Sequence, residues 1–61
     1  MKDTKELDSF IDYAKLAATA ERARQFNLAE DLWNKAALHS TNVYNIEWAY
    51  NRMFFCSKQK N

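Results

Sequence analysis

Apolar residues recur along this chain at intervals of three and four, the spacing of one helical face, in three successive stretches. The first predicts a helix over about 9–24. Leu7, Phe10, Ile11, Tyr13, Ala14, Ala17, Ala18 and Ala20 cover a wide apolar arc, and Asp12, Lys15, Thr19 and Arg22 form a narrow solvent face. The many alanines on that arc allow a second helix to approach closely. The second stretch predicts a helix over about 28–38, with Leu28, Ala29, Leu32, Trp33, Ala36 and Ala37 opposite Asp31, Asn34 and Lys35. Asn27 with Glu30 three places on has the form of a capping box, which would make Asn27 the N-cap. The connection Arg24-Gln25-Phe26 is too short for anything but an antiparallel hairpin, with Phe26 plugging its corner.

Ser40-Thr41-Asn42 closes the second helix, and a third is predicted over about 43–57. This one is apolar on two sides. Tyr44, Trp48 and Phe55 form one stripe; Ile46, Ala49, Tyr50, Met53 and Cys56 form another. Asn45 and Arg52 lie along one seam between them, Glu47 and Asn51 along the other. A helical hairpin can cover one face of a third helix, so the other requires a second neighbour. The pattern therefore predicts a core containing Phe10, Ala17, Phe26, Leu32, Trp33, Trp48 and Phe55. It predicts intermolecular contact at Ile46, Tyr50 and Met53, extended by Phe54, with either a second copy or another protein.

Composition narrows the class of function. The 61 residues contain no glycine and no proline, where average usage of about 12% for the pair would give about seven. Phosphate-binding loops, hairpin turns and strained catalytic elbows depend on those residues. The expectation is an all-α single domain over 1–61, with segments 1–7 and 58–61 frayed, and not an enzyme. No paired nucleophile and base, no metal set, no cofactor site and no small-molecule substrate is suggested. His39 reads as a lone surface histidine at a helix end, where a cation suits the helix dipole. Net charge is +1 with both signs interspersed, so the basic stripe needed for nucleic-acid backbones is missing. Neither a signal-peptide pattern nor an apolar run of membrane-spanning length occurs, and the lone thiol suits a reducing compartment, which makes the cytoplasm the expected location.

A domain of about 60 residues is marginally stable, and small chains commonly add disulfides, a metal or a partner. Cys56 is the only cysteine, which leaves association, most simply a homodimer, as the expected staple. Cys56 itself reads as a buried, inert thiol. Glu21 sits near the middle of the first helix's apolar arc, where a carboxylate needs a partner. Arg52, on the third helix, is the candidate. The pair would lock that helix onto the hairpin, with stacking of Arg52 on Trp48 as a compatible or competing role.

Two resemblances follow from these residues. Ala20, Phe26, Ala29, Trp33 and Ala36 have the small/large spacing of a tetratricopeptide helix pair, without its turn glycine or closing proline. A wider pattern resembles the ANR family. It comprises Phe10, Tyr13-Ala14, Ala17-Ala18, Glu21-Arg22, Phe26, Ala29, Trp33, Ala36-Ala37, Trp48-Ala49, Arg52 and Cys56, ending in a distinctive Trp-x3-Arg-x3-Cys. Arg24-Gln25 stands where many relatives have a glycine-containing turn. Members are small regulators of Gram-negative bacteria that restrain AraC/XylS-type transcriptional activators, many of them controlling virulence genes. The resemblance implies direct binding to such an activator and repression of its output. The alternatives from residue chemistry are a DNA-binding helix-turn-helix, for which the third helix offers only Arg52, Asn45 and Asn51 among large aromatics, and an antitoxin- or chaperone-like protein-binding module.

Overall fold

The structure, a computed structural model, describes residues 9–60. The segment 1–7 expected to fray lies outside the described residues. Three helices follow one another: α1 (Ser9–Arg22), α2 (Phe26–Leu38) and α3 (Val43–Gln59). No strand occurs among the described residues, so the chain is all-α with three helices, as its periodicity predicts.

The first corner is built differently from the expectation. α1 ends at Arg22, two residues short of 24, because Arg24 turns into the left-handed region at φ 61°. The Gln25 amide then reaches back to the Ala20 carbonyl at 2.9 Å, and the Arg24 amide to that of Glu21 at 2.9 Å. These two bonds form a Schellman closure, with Arg24 at the position glycine usually fills. The turn is so tight that α2 starts at Phe26, ahead of Asn27. The N-cap is Gln25, whose side chain makes no capping bond, and Asn27 lies inside the first turn. The expected capping box is absent for that reason.

The second corner carries the working cap. Asn42 Oδ1 accepts from the amides of Tyr44 and Asn45 at 2.9 and 3.1 Å, and Ser40 Oγ accepts from the Asn42 amide at 3.0 Å. From there α3 continues through Gln59, beyond the expected end near 57, and Lys60 Nζ donates to Glu30 Oε1 at 2.6 Å. Residues 58–60 therefore extend and pin the third helix, in place of the expected frayed tail; Asn61 is outside the described residues.

α2 lies in the middle and packs along both neighbours, while α1 and α3 meet through side chains. The shortest dimension of the Cα trace is 12 Å, so the helices form one layer. Close packing within it rests on alanine. Ala14, Ala17 and Ala20 of α1, Ala29, Ala36 and Ala37 of α2, and Ala49 of α3 are all buried. With a methyl group at each contact the backbones come near one another, and Phe10, Trp33 and Cys56 supply the remaining buried bulk.

This packing corrects the expected facing of α3. The line that enters the core is Ala49 and Cys56, flanked by partly buried Ile46 and Met53 on one side and Arg52 on the other. That line lies within the second predicted stripe, of which Tyr50 alone stays exposed, while the first stripe is turned to the margin. Trp48 and Phe55, expected in the core, are 49% and 39% exposed, and Tyr44 stands clear of the layer. Phe26 and Leu32 are half-buried at the edge of the core, while Phe10, Ala17 and Trp33 occupy it as predicted. The physical reason is size: helices approach most closely over small side chains, so the large aromatics are displaced to the margins.

Candidate protein-binding surface

The side chains that position the surface converge on Glu21. Its carboxylate accepts from Trp33 Nε1 at 2.6 Å, from Arg52 Nη2 at 2.5 Å and Nε at 3.2 Å, and from Cys56 Sγ at 3.6 Å. One acidic group on α1 thus ties α2 and α3 together, and the expected Glu21–Arg52 pair is formed in bidentate fashion through Nε and Nη2. Burial pushes the Glu21 carboxyl upward, but the hydrogen bonds from Arg52 and Trp33 with the Arg52 charge outweigh it, and the carboxyl is held below its ordinary value. Arg52 is raised by its hydrogen bond to Glu21. The guanidinium lies over the Phe55 ring at 4.5 Å, so its stacking partner is Phe55, where Trp48 was the expected one.

Cys56 is fully buried, and burial first, then the Glu21 charge, pushes its thiol up to about 11. The thiolate, the form that reacts, is thereby suppressed. His39 is exposed at the end of α2, with its ring 4.9 Å from that of Tyr13 and Nδ1 2.8 Å from the Lys35 carbonyl. Among the described residues no three His, Cys, Asp or Glu side chains gather as a metal set would require. No helix there is long and apolar enough to cross a membrane.

Near the Glu21 knot a groove opens between α1 and α3. Phe10, Ile11, Ala14, Lys15, Ala18 and Trp48 line it, and its open volume is about 310 Å³. Trp48 forms its α3 wall. The indole meets the Trp33 ring edge to face, with centroids 4.9 Å apart, and lies 6.2 Å from the Phe10 ring, while about half of it stays exposed. Further along the same side, Phe26 and Phe55 meet edge to face at 6.4 Å, with Arg24 over Phe26 at 6.0 Å. An apolar floor with a cation, Lys15, at its rim is the make-up of a protein-docking groove.

The residues predicted for intermolecular contact divide. Ile46 and Met53 pack against the core of this same chain, Met53 also bordering a polar hollow with Asn27, Glu30, Asp31 and Asn34. Tyr50 and Phe54 remain exposed, with Lys58 over the Phe54 ring at 5.1 Å. Sequence reasoning did not single out Ile11, Ala14 and Ala18 as surface. The signal was present in the width of the first helix's apolar arc, broader than one neighbouring helix can cover. The groove walls Phe10, Ala14, Ala18 and Trp48 are positions of the ANR-like pattern, and so are the knot residues Glu21, Trp33, Arg52 and Cys56. Comparison with protein-family models, with curated proteins and with solved structures finds no match to this chain.

Proposed function

We propose that this chain is a non-catalytic transcriptional regulator that binds an AraC/XylS-type activator directly and represses its activity, with virulence genes as the controlled output. The observation that carries the reading is the open apolar groove between α1 and α3. A layer of three helices leaves that groove uncovered, and exposed apolar clefts of this kind mark interaction sites. The choice of partner rests on the ANR resemblance, whose pattern includes groove residues. An apolar helix or loop of the activator would seat against Trp48, with its acidic residues toward Lys15, and so block the activator's own dimerisation or its productive DNA-bound form.

Calorimetric titration of the chain into the purified dimerisation domain of an AraC-type activator from the same cell tests this. Saturable binding is expected, weakened at least tenfold by Ile11→Asp, since an exposed groove residue can be charged without disturbing the core. Absence of binding at tens of micromolar would sink the activator as target. Salt-dependent binding to a promoter fragment would instead favour the DNA-binding reading.

A further inference from the structure

The two ends of the helical layer differ. The free edge of α1 carries Asp12, Lys15, Thr19 and Arg22, with Leu16 as an isolated exposed apolar side chain beside them, and is mainly polar. The free edge of α3 carries Val43, Glu47, Tyr50, Phe54 and Lys58. At 100° per residue these lie within an arc of about 80° and run at intervals of four and three, the seam of a helix that packs against another helix. Val43 and Phe54 are each 64% exposed, and Tyr50 is 45% exposed. The α1 end is mainly polar; the α3 end exposes Val43, Tyr50 and Phe54 with one acidic and one basic residue among them.

We infer that this seam of α3 pairs antiparallel with the same seam of a second copy, giving a two-fold dimer. The occupant is identified by the order of charges along the seam. The acidic residue, Glu47, lies toward its N-terminal end and the basic one, Lys58, toward its C-terminal end. A parallel pairing sets Glu47 beside Glu47 and Lys58 beside Lys58. An antiparallel pairing with its midpoint near Arg52 sets Glu47 opposite Lys58 of the second copy, twice by symmetry, and places Tyr50 against Phe54 of the second copy, also twice. The surface is complementary to itself, as a closed two-fold interface must be. Each copy then shields the other's apolar end and turns its polar α1 edge outward. Trp48 lies about 120° around α3 from the middle of this seam, so the dimer leaves the α1–α3 groove open.

The contact is one helix pair about 25 Å long, smaller than a standard interface of ~800 Å² a side, so a weak pairing is expected and the concentration must be varied widely. The inference stands independently of the activator reading. Sedimentation of the full chain alone, at about 1–200 µM, tests it. A monomer–dimer equilibrium is expected. Tyr50→Asp should shift it to monomer, and Glu47→Lys or Lys58→Glu should each weaken it about tenfold by turning attraction into repulsion at two places. The double variant E47K/K58E should restore it, and Asp12→Lys on the exposed α1 edge should leave it unchanged. Far-ultraviolet circular dichroism establishes that each variant is folded. A concentration-independent monomer would overturn the proposal. So would single reversals without effect, which indicate a different seam or a parallel arrangement, or a double reversal that fails to restore pairing. A dimer that binds no activator would refute only the proposed function; a monomer that binds it would refute only the dimer.

Discussion

At the scale of single residues, Glu21 decides more than any apolar side chain. It is the acceptor for four donors from the other two helices, two of them on Arg52 and one each on Trp33 and Cys56. Replacing it with alanine strands the buried Trp33 N–H and the guanidinium together, a loss of about 2–4 kcal/mol for a cluster of charge-assisted bonds. Glutamine at this position keeps the shape and loses the charge. Because folding lowers the Glu21 pKa, its contribution is fully present above the ordinary value of 4.5 and is lost as pH falls through the lower folded value. The melting temperature of the wild type should therefore drop on acidification below about 4.5, more steeply than that of Glu21→Gln. Folding raises the Cys56 thiol from 9.0 to about 11, so that group's contribution is present below 9 and fades as pH rises through about 11. At neutral pH the native thiol should resist iodoacetamide over hours and react within minutes in denaturant. Rapid alkylation of the folded chain would contradict its burial.

At the scale of elements, the corners carry the information. Arg24 holds φ 61° without being glycine, a conformation that costs roughly 1 kcal/mol for a residue with a Cβ. Arg24→Gly should therefore raise the melting temperature by a few degrees, since about 1 kcal/mol corresponds to 4–8 °C in a domain this small. Asn42→Ala removes the acceptor for two α3 amides and should lower it by a similar amount. The helical stretches themselves were legible in the sequence, because periodicity is a local property of a helix. The position of the caps was not. Asn27 and Glu30 have the right spacing for a capping box, yet the Schellman closure at Arg24 starts α2 two positions too early for it. Asn42, in the same kind of polar turn, does cap its helix.

At the scale of the whole molecule, a single layer leaves two sides and two ends to be managed by side-chain choice. The layer ends differ in polarity, and the side between α1 and α3 keeps an apolar groove. Ile11→Asp and Tyr50→Asp change exposed residues at different places, so both variants should retain the wild-type circular dichroism spectrum and a melting temperature within a few degrees. Their effects should separate: the first weakens activator binding, the second weakens self-association. Loss of helical signal in either would mean that the residue is structural.

The pairing of Glu21 with Arg52 was legible because a carboxylate within an apolar arc demands a cation, and the third helix offers one. The roles of Trp48 and Phe55 were not. A helical wheel assigns side chains to faces but does not say which face wins the contact when two are apolar. That choice depends on how closely the backbones can approach, which here is set by alanines facing one another across α1, α2 and α3. The sequence by itself determined the class, the three helices and the residue types available for recognition, because these follow from spacing and composition along the chain. Only the tertiary structure decided that Ala49 and Cys56 enter the core while the aromatics line its margins, since close approach is a property of facing surfaces and not of any one helix.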